Sequence, residues 1–222
     1  MDVIECIKTR MSIRKFMPDS VPEDIIRSII DTAKWSPSYK NSQPWEVVVV
    51  SGAKKNELSG LLIEMLEKGE KPAPDIPEPV SWPRQVEARI AEHMKKRSEH
   101  FGVDINDPEI LKRVKIANFR FYGAPHGLFL FQDASLSLWS LFDIGLFAQS
   151  LMLAAHAHGI GTVPQAFLID YSAKIKDFLG IADSKKLVLG ISLGYPDIND
   201  RANSYRSTRV EIDEIVKYKF IK

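Results

Sequence analysis

One cysteine, Cys6, in 222 residues excludes an intrachain disulfide and any cysteine-built zinc site. Unbalanced charge is equally scarce: 30 Lys and Arg stand against 29 Asp and Glu, a net charge of +1. Without a global positive field the chain does not gather polyanions, so nucleic acid and the membrane surface are not expected partners unless a local basic patch exists. Glycine and proline, 12 and 13 residues, are ordinary in number, and hydrophobic side chains make up 45%, enough for a packed core rather than a disordered chain. The first ten residues include Asp2, Glu5, Lys8 and Arg10, which leaves no apolar stretch for a signal peptide. The expectation is a soluble protein of the reducing cytoplasm.

Familiar catalytic signatures are missing too. No G-x-G-x-x-G follows a strand, Gly52-Ala53-Lys54-Lys55 is not a P-loop, and neither G-x-S-x-G nor H-E-x-x-H occurs. His156 and His158, two apart on an expected helix, point to different faces and do not pair as ligands. His93, His100 and His126 occur singly and read as surface or satisfied core histidines. Only one hydrophobic run, Leu136 to Ala155, is long enough to span a bilayer. Asp143 lies near its middle, where a carboxylate costs about 2.5–3.5 kcal/mol on insertion scales. Being apolar on nearly all sides, the run reads as a helix buried in a core or wrapped by a second subunit.

What is present is a succession of helices and strands. Short helices are expected from Asp2 to Lys8 and from Pro22, where Ile25, Ile26, Ile29, Ile30 and Ala33 line one face. Trp45 to Val50 reads as a buried strand, and Leu58, Leu61, Leu62, Met65 and Leu66 mark a third helix. Pro72, Pro74, Pro77, Pro79 and Pro83 make 69–83 a loop. Helices at about 84–101 and 108–121, a strand at His126 to Gln132, the helix 136–158, a helix from Asp170, a strand at Leu187 to Leu193 and a tail from Tyr218 to Lys222 follow. This order predicts one α+β domain over 1–222, with a helical, Pro-rich insertion at about 69–121.

Three segments suit an anionic, planar ligand. In Arg10-Met11-Ser12-Ile13-Arg14, alternation puts two guanidinium forks and a hydroxyl on one side of an extended segment. In Trp35-Ser36-Pro37-Ser38-Tyr39-Lys40-Asn41-Ser42-Gln43-Pro44-Trp45, prolines fix the path and the tip offers polar groups. Gly161-Thr162-Val163-Pro164-Gln165-Ala166 reads as a rigid turn able to present backbone N–H groups.

In this order, with Gly194-Tyr195-Pro196 and the later Arg206 and Arg209, the segments resemble the FMN-dependent nitroreductase family over nearly the whole chain. Gly123-Ala124-Pro125-His126 and Leu138-Trp139-Ser140-Leu141-Phe142-Asp143 are similar to the nitrobenzoate-reductase subgroup. The resemblance implies an α+β sandwich with a mainly antiparallel sheet, a domain-sharing homodimer and FMN at the subunit interface. It implies Arg10, Arg209 and Arg206 at the phosphate, Ser12 at the ribityl or phosphate region, and Arg14 beside the flavin N1–C2=O edge. Pro37, Ser38 and Asn41 would come from the other subunit, and Pro164, Gln165 and Ala166 would approach N5. An acid and a glycine are usual at that last place in the family; Gln165 and Ala166 stand there instead, so main-chain contact is the expectation. The implied reaction passes a hydride from NADH or NADPH to a nitroaromatic, quinone or similar acceptor in a ping-pong cycle. Reductive dehalogenation, flavin fragmentation and non-enzymatic flavin binding are the alternatives. The Pro-rich segment with Trp82 and the helix after it would form the substrate lid.

Overall fold

A computed structural model describes residues 2–220, so Ile221 and Lys222 of the expected tail lie outside the described residues. Helix α1 (Val3–Thr9) is capped by the Asp2 carboxylate, which accepts from the N–H groups of Ile4 and Glu5. Cys6, on its inner face, is buried. Helix α2 (Glu23–Ala33) begins one residue after Pro22 and buries Ile26, Ile29 and Ala33. Strand β1 (Glu46–Ser51) leads straight into α3 (Gly52–Glu67). After the Pro-rich segment come α4 (Arg84–Phe101) and α5 (Pro108–Phe119), then β2 (His126–Asp133) and α6 (Leu138–Ala157). Strand β3 (Gly161–Gln165), α7 (Ser172–Leu179) and β4 (Lys185–Gly194) complete the regular elements.

The four strands form an antiparallel sheet in the order β1-β2-β4-β3. Central β2 is covered on both faces, which explains its unbroken apolar run. Its side chains alternate: Leu128 and Leu130 join Ile26, Ile29, Phe147 and Leu151 of α2 and α6 in one core. Phe129 and Phe131 join Leu58, Leu62, Phe119 and Ile175 of α3, α5 and α7 in the other.

The expectations for β1 and for residues 161–166 change, and that for α6 is made more specific. β1 is not a fully buried strand: it ends the sheet, and Val49 remains 39% exposed. α6 is buried on one face only in the single chain, with Leu138, Trp139 and Phe142 on the uncovered side. Half of its most apolar window is buried, although its length and composition would allow it to cross a membrane. Residues 161–165 are not a turn but strand β3, closed by pairing Gly161 with Gly194 through to Gln165 with Gly190, and only Ala166 stands in a bend. A proline in a short small-residue run masked it; Pro164 is tolerated because β3 is an edge strand.

The Pro-rich segment is anchored at its first half. Ala73 N–H donates to Asp170 O, Asp75 N–H to Ser172 Oγ, and Tyr171 Oη to Glu70 O. Asp75 then accepts from Lys176 Nζ and from the Leu187 N–H at 2.8 Å.

Candidate functional site

The N-terminal segment after α1 lies along the open side of β3. Ser12 bridges Thr162 in parallel, and Ile13 N–H donates to Thr162 O at 3.0 Å. This approach needs Gly161, since a Cβ there would stand 2.7 Å from Ile13. Further on, Phe16 bridges Pro196 and Met17 N–H donates to Tyr195 O.

The clamp that brings the two ends of the chain together is Asn203. Its Oδ1 accepts the Arg14 N–H at 2.7 Å, while its Nδ2 donates to Lys15 O and Asp197 O, both at 2.8 Å. The side chain is buried and satisfied, so residues 197–209 are fixed against residues 14–15. Arg206 then reaches Thr9 O at 3.3 Å. Arg209 Nη1 donates to Ser207 Oγ and Thr208 O, which holds its own loop.

Between these segments opens a cavity of about 560 Å³. Arg10, Ser12, Arg14, Arg206 and Arg209, named from the sequence, all line it. So do Lys8, His93, Arg97, Gln149 and Tyr205, and among the described residues no carboxylate does. Arg10 Nη1 is the one buried side-chain polar atom among the described residues without a hydrogen-bond partner. Burial holds the Arg10 guanidinium below the usual arginine range, and Arg209 and Arg206 push it the same way. Arg97 is lowered by burial and then by Arg14. His93 is lowered by burial, Arg97, Arg14 and Arg209, and His156 by burial, Arg10 and Arg206. Cations crowded together, partly desolvated and without acids are unfavourable unless an anion completes them.

His93, read from the sequence as a surface or satisfied core histidine, lines the cavity instead, and Arg97 and Tyr205 were not singled out in the sequence. His93 and Arg97, four apart on α4, share one face of that helix, and Tyr205 sits one residue before Arg206. The i, i+4 spacing was readable; which way α4 would face was not. Trp82 and the prolines do not line the cavity, so of the expected lid only α4 reaches it.

Six other expected residues do not line this cavity within the chain. Pro37, Ser38 and Asn41 belong to the loop after α2, which docks on α6. There Asp143, buried, accepts the Tyr39 N–H on both carboxylate oxygens at 3.2 Å, which accounts for an acid within so apolar a helix. Ser38 Oγ accepts the Gln43 N–H, and Lys40, Asn41 and Gln43 all have positive φ. Pro164 and Gln165 end β3, and Ala166 follows it. The Gln165 side chain turns inward, donating to Asn118 O and Oδ1 and accepting from Ser192 Oγ. His126 is a satisfied core histidine, its Nε2 accepting the Val21 N–H at 3.0 Å and its Nδ1 paired with Ser51 Oγ.

A two-core α+β sandwich whose basic cavity is lined by no carboxylate among the described residues defines a protein suited to hold a small anionic molecule. The chain belongs to the nitroreductase family: the model described as "Nitroreductase family" matches residues 7–195. It is 36% identical over 212 residues to the 4-nitrobenzoate reductase of Pseudomonas putida, covering 91% of this chain and 89% of that one. It is 35% identical over 213 residues to the nitroreductase NfnB of Mycolicibacterium smegmatis, covering 96% and 90%. The crystal structure of the FMN-dependent nitroreductase NfnB from Mycobacterium smegmatis in complex with NADPH superimposes with a TM-score of 0.92 at 33% identity, covering 97% of both chains.

Proposed function

We propose that the protein is an FMN-dependent oxidoreductase that passes a hydride from NADH or NADPH to nitroaromatic, quinone or related electrophilic acceptors. The observation that carries this reading is the basic cavity, with the buried, unpartnered Nη1 of Arg10 among Arg206 and Arg209. Its lining suits a phosphate monoester, and FMN, when bound, supplies a hydride-accepting flavin. Arg10, Arg206 and Arg209 would hold the phosphate, Ser12 the ribityl or phosphate region, and Arg14 the polar edge of the ring. Main-chain groups around Gln165 and Ala166, with Pro164, would face the ring where the edge strand β3 ends. With Gln165's side chain committed to Asn118 and Ser192, it acts through its backbone.

The working unit is a homodimer to which the second chain contributes Pro37, Ser38 and Asn41. Support comes from an uncovered apolar face formed by Tyr39, Leu138, Trp139 and Phe142, with the Tyr39 and Trp139 rings stacked at 5.9 Å. One buried thiol, Cys6, suits the reducing cytoplasm.

Purified protein is expected to be a yellow dimer that bleaches anaerobically with NADH or NADPH and recovers its colour with a nitroaromatic or quinone. Colourless protein that cannot be reconstituted with FMN refutes the reading. Flavin that bleaches but passes nothing to any acceptor leaves a flavin-binding protein instead.

A further inference from the structure

The basic cavity carries more positive charge than one phosphate neutralises. Five arginines and Lys8 line it, whereas a phosphate monoester brings about two negative charges near neutral pH. In the FMN reading Arg10, Arg206 and Arg209 take the cofactor phosphate and Arg14 the ring edge, which leaves Arg97 as the arginine of this lining without an assigned anion. Arg97 enters from α4, four residues after His93, and is only half-buried. Its guanidinium carbon lies 5.9 Å from the centre of the Phe101 ring, which steadies the side chain while leaving its five donors unused. Among the described residues the ion pairs include none to Arg97, and the side-chain hydrogen bonds include none from it. Tyr205 closes this side of the cavity, its ring 5.7 Å from that of His93 and its Oη 3.3 Å from His93 Nδ1. An unpaired fork bordering this cavity, with no acid among the described residues that line it, matches an oxyanion with two acceptor oxygens.

We propose that Arg97 forms a second anion subsite that recognises the carboxylate or phosphate of a substrate, making Arg97 a specificity-determining residue. The inference rests on the FMN reading, because the cofactor then occupies Arg10, Arg206 and Arg209 with its phosphate and Arg14 with its ring edge, and leaves Arg97 for a substrate. The anion has two sources: a carboxylate on the aromatic acceptor, or a phosphate of the nicotinamide dinucleotide. Uncharged acceptors of the same shape make no use of the subsite.

The test uses oxidised holoenzyme, wild type and Arg97→Gln, with FMN content measured from the flavin absorbance. Calorimetric titration with benzoate, 2′,5′-ADP and neutral benzamide separates the sources. Roughly ten-fold or greater weakening of one or both anions is expected, the size of losing one charge-assisted contact, with benzamide and FMN content unchanged. Loss confined to benzoate assigns the subsite to the acceptor, and loss confined to 2′,5′-ADP assigns it to the hydride donor. Arg97→Lys should recover only part of the affinity, since it restores charge without the fork. In turnover, the KM for 4-nitrobenzoate or for NADPH should rise with that for nitrobenzene unchanged. Equal anion affinity in wild type and Arg97→Gln at normal FMN content overturns the subsite alone. So does an equal loss of benzamide, or wild-type protein that binds neither anion better than benzamide. Wild-type protein that cannot take up FMN overturns the cofactor reading and the subsite with it.

Discussion

Replacing Arg10 with methionine should have opposite effects on the protein with and without its cofactor. The substitution keeps an unbranched apolar stem of similar path and removes the guanidinium. In the cofactor-bound protein the loss is a charge-assisted hydrogen bond, about 1.5–3 kcal/mol, so the FMN dissociation constant should rise roughly 10- to 150-fold. In the cofactor-free protein Arg10 Nη1 is buried with no partner and faces Arg206 and Arg209. An unsatisfied buried donor costs about 1–3 kcal/mol, so its removal should stabilise the empty fold. For a chain of this length that is a rise in Tm of roughly 2–4 °C per kcal/mol. Flavin fluorescence titration gives the first quantity, and thermal unfolding of deflavinated protein at one fixed concentration gives the second. The affinity gap between wild type and variant should also narrow as salt is added. Unchanged FMN affinity would remove Arg10 from the phosphate site. Weakened affinity with a lower Tm of the empty protein would mean that Arg10 serves packing rather than an anion.

Two further outcomes concern the frame around the site. His126 accepts the Val21 N–H through Nε2 and pairs with Ser51 through Nδ1; burial, and then Lys55, hold its pKa below the ordinary histidine value. The unfolded chain takes up this proton near pH 6.5 and the folded one only at lower pH, so its stabilising contribution is complete above about 6.5 and is lost as pH falls below it. His93 and His156 are displaced in the same direction and add to the slope. His126→Gln should lower the Tm at pH 7.5 and show a shallower decline from pH 7 to 5; an unchanged slope would refute the assignment. Asp75→Ala should leave the buried Lys176 ammonium with Lys185 O, 3.1 Å away, as its remaining partner. Leaving the part-buried Lys176 and Leu187 donors short of an acceptor costs about 1–3 kcal/mol, measurable by denaturant unfolding, and should speed proteolytic cleavage within residues 72–83. Wild-type cleavage rates would mean that the other anchors suffice.

Elements with a strong period were legible from sequence, and those set by their neighbours were not. The isoleucines of α2, the continuous apolar run of β2 and the leucines of α3 gave their elements away because burial on one or two faces leaves a direct trace. β3 was missed because five residues containing a glycine and a proline carry no alternation, and its strand character comes from pairing with β4. β1 looked buried because valines dominate both of its faces, yet its place at the sheet edge is a property of topology. Among site residues, the R-x-S-x-R segment was legible because its charges sit on one side of a short extended stretch. His93 and Arg97 were not, because nothing in a polar helix says which of its faces meets residues 10–14. Asn203 was silent for another reason: a single amide acquires its role only when both ends of the chain meet around it.

The near-neutral composition therefore conceals a strong local field, and the way that field is assembled matters. Its cations come from residues 8–14, from α4 and from residues 206–209, three stretches that share no sequence neighbourhood. The family match stops at Tyr195, before Asn203, Tyr205, Arg206 and Arg209. Within the matched region lie the sheet, both cores and the R-x-S-x-R segment; beyond it lies the strap that completes the cavity. Like charges do not converge of their own accord, so the strap must be held by contacts that do not depend on an anion. Asn203 supplies them: its amide is saturated by the main chain of Arg14, Lys15 and Asp197, and Asp197 N–H returns a further bond to Lys15 O at 3.1 Å. Neutral hydrogen bonds thus preorganise a repulsive cluster, and the repulsion remains available to favour whichever anion enters.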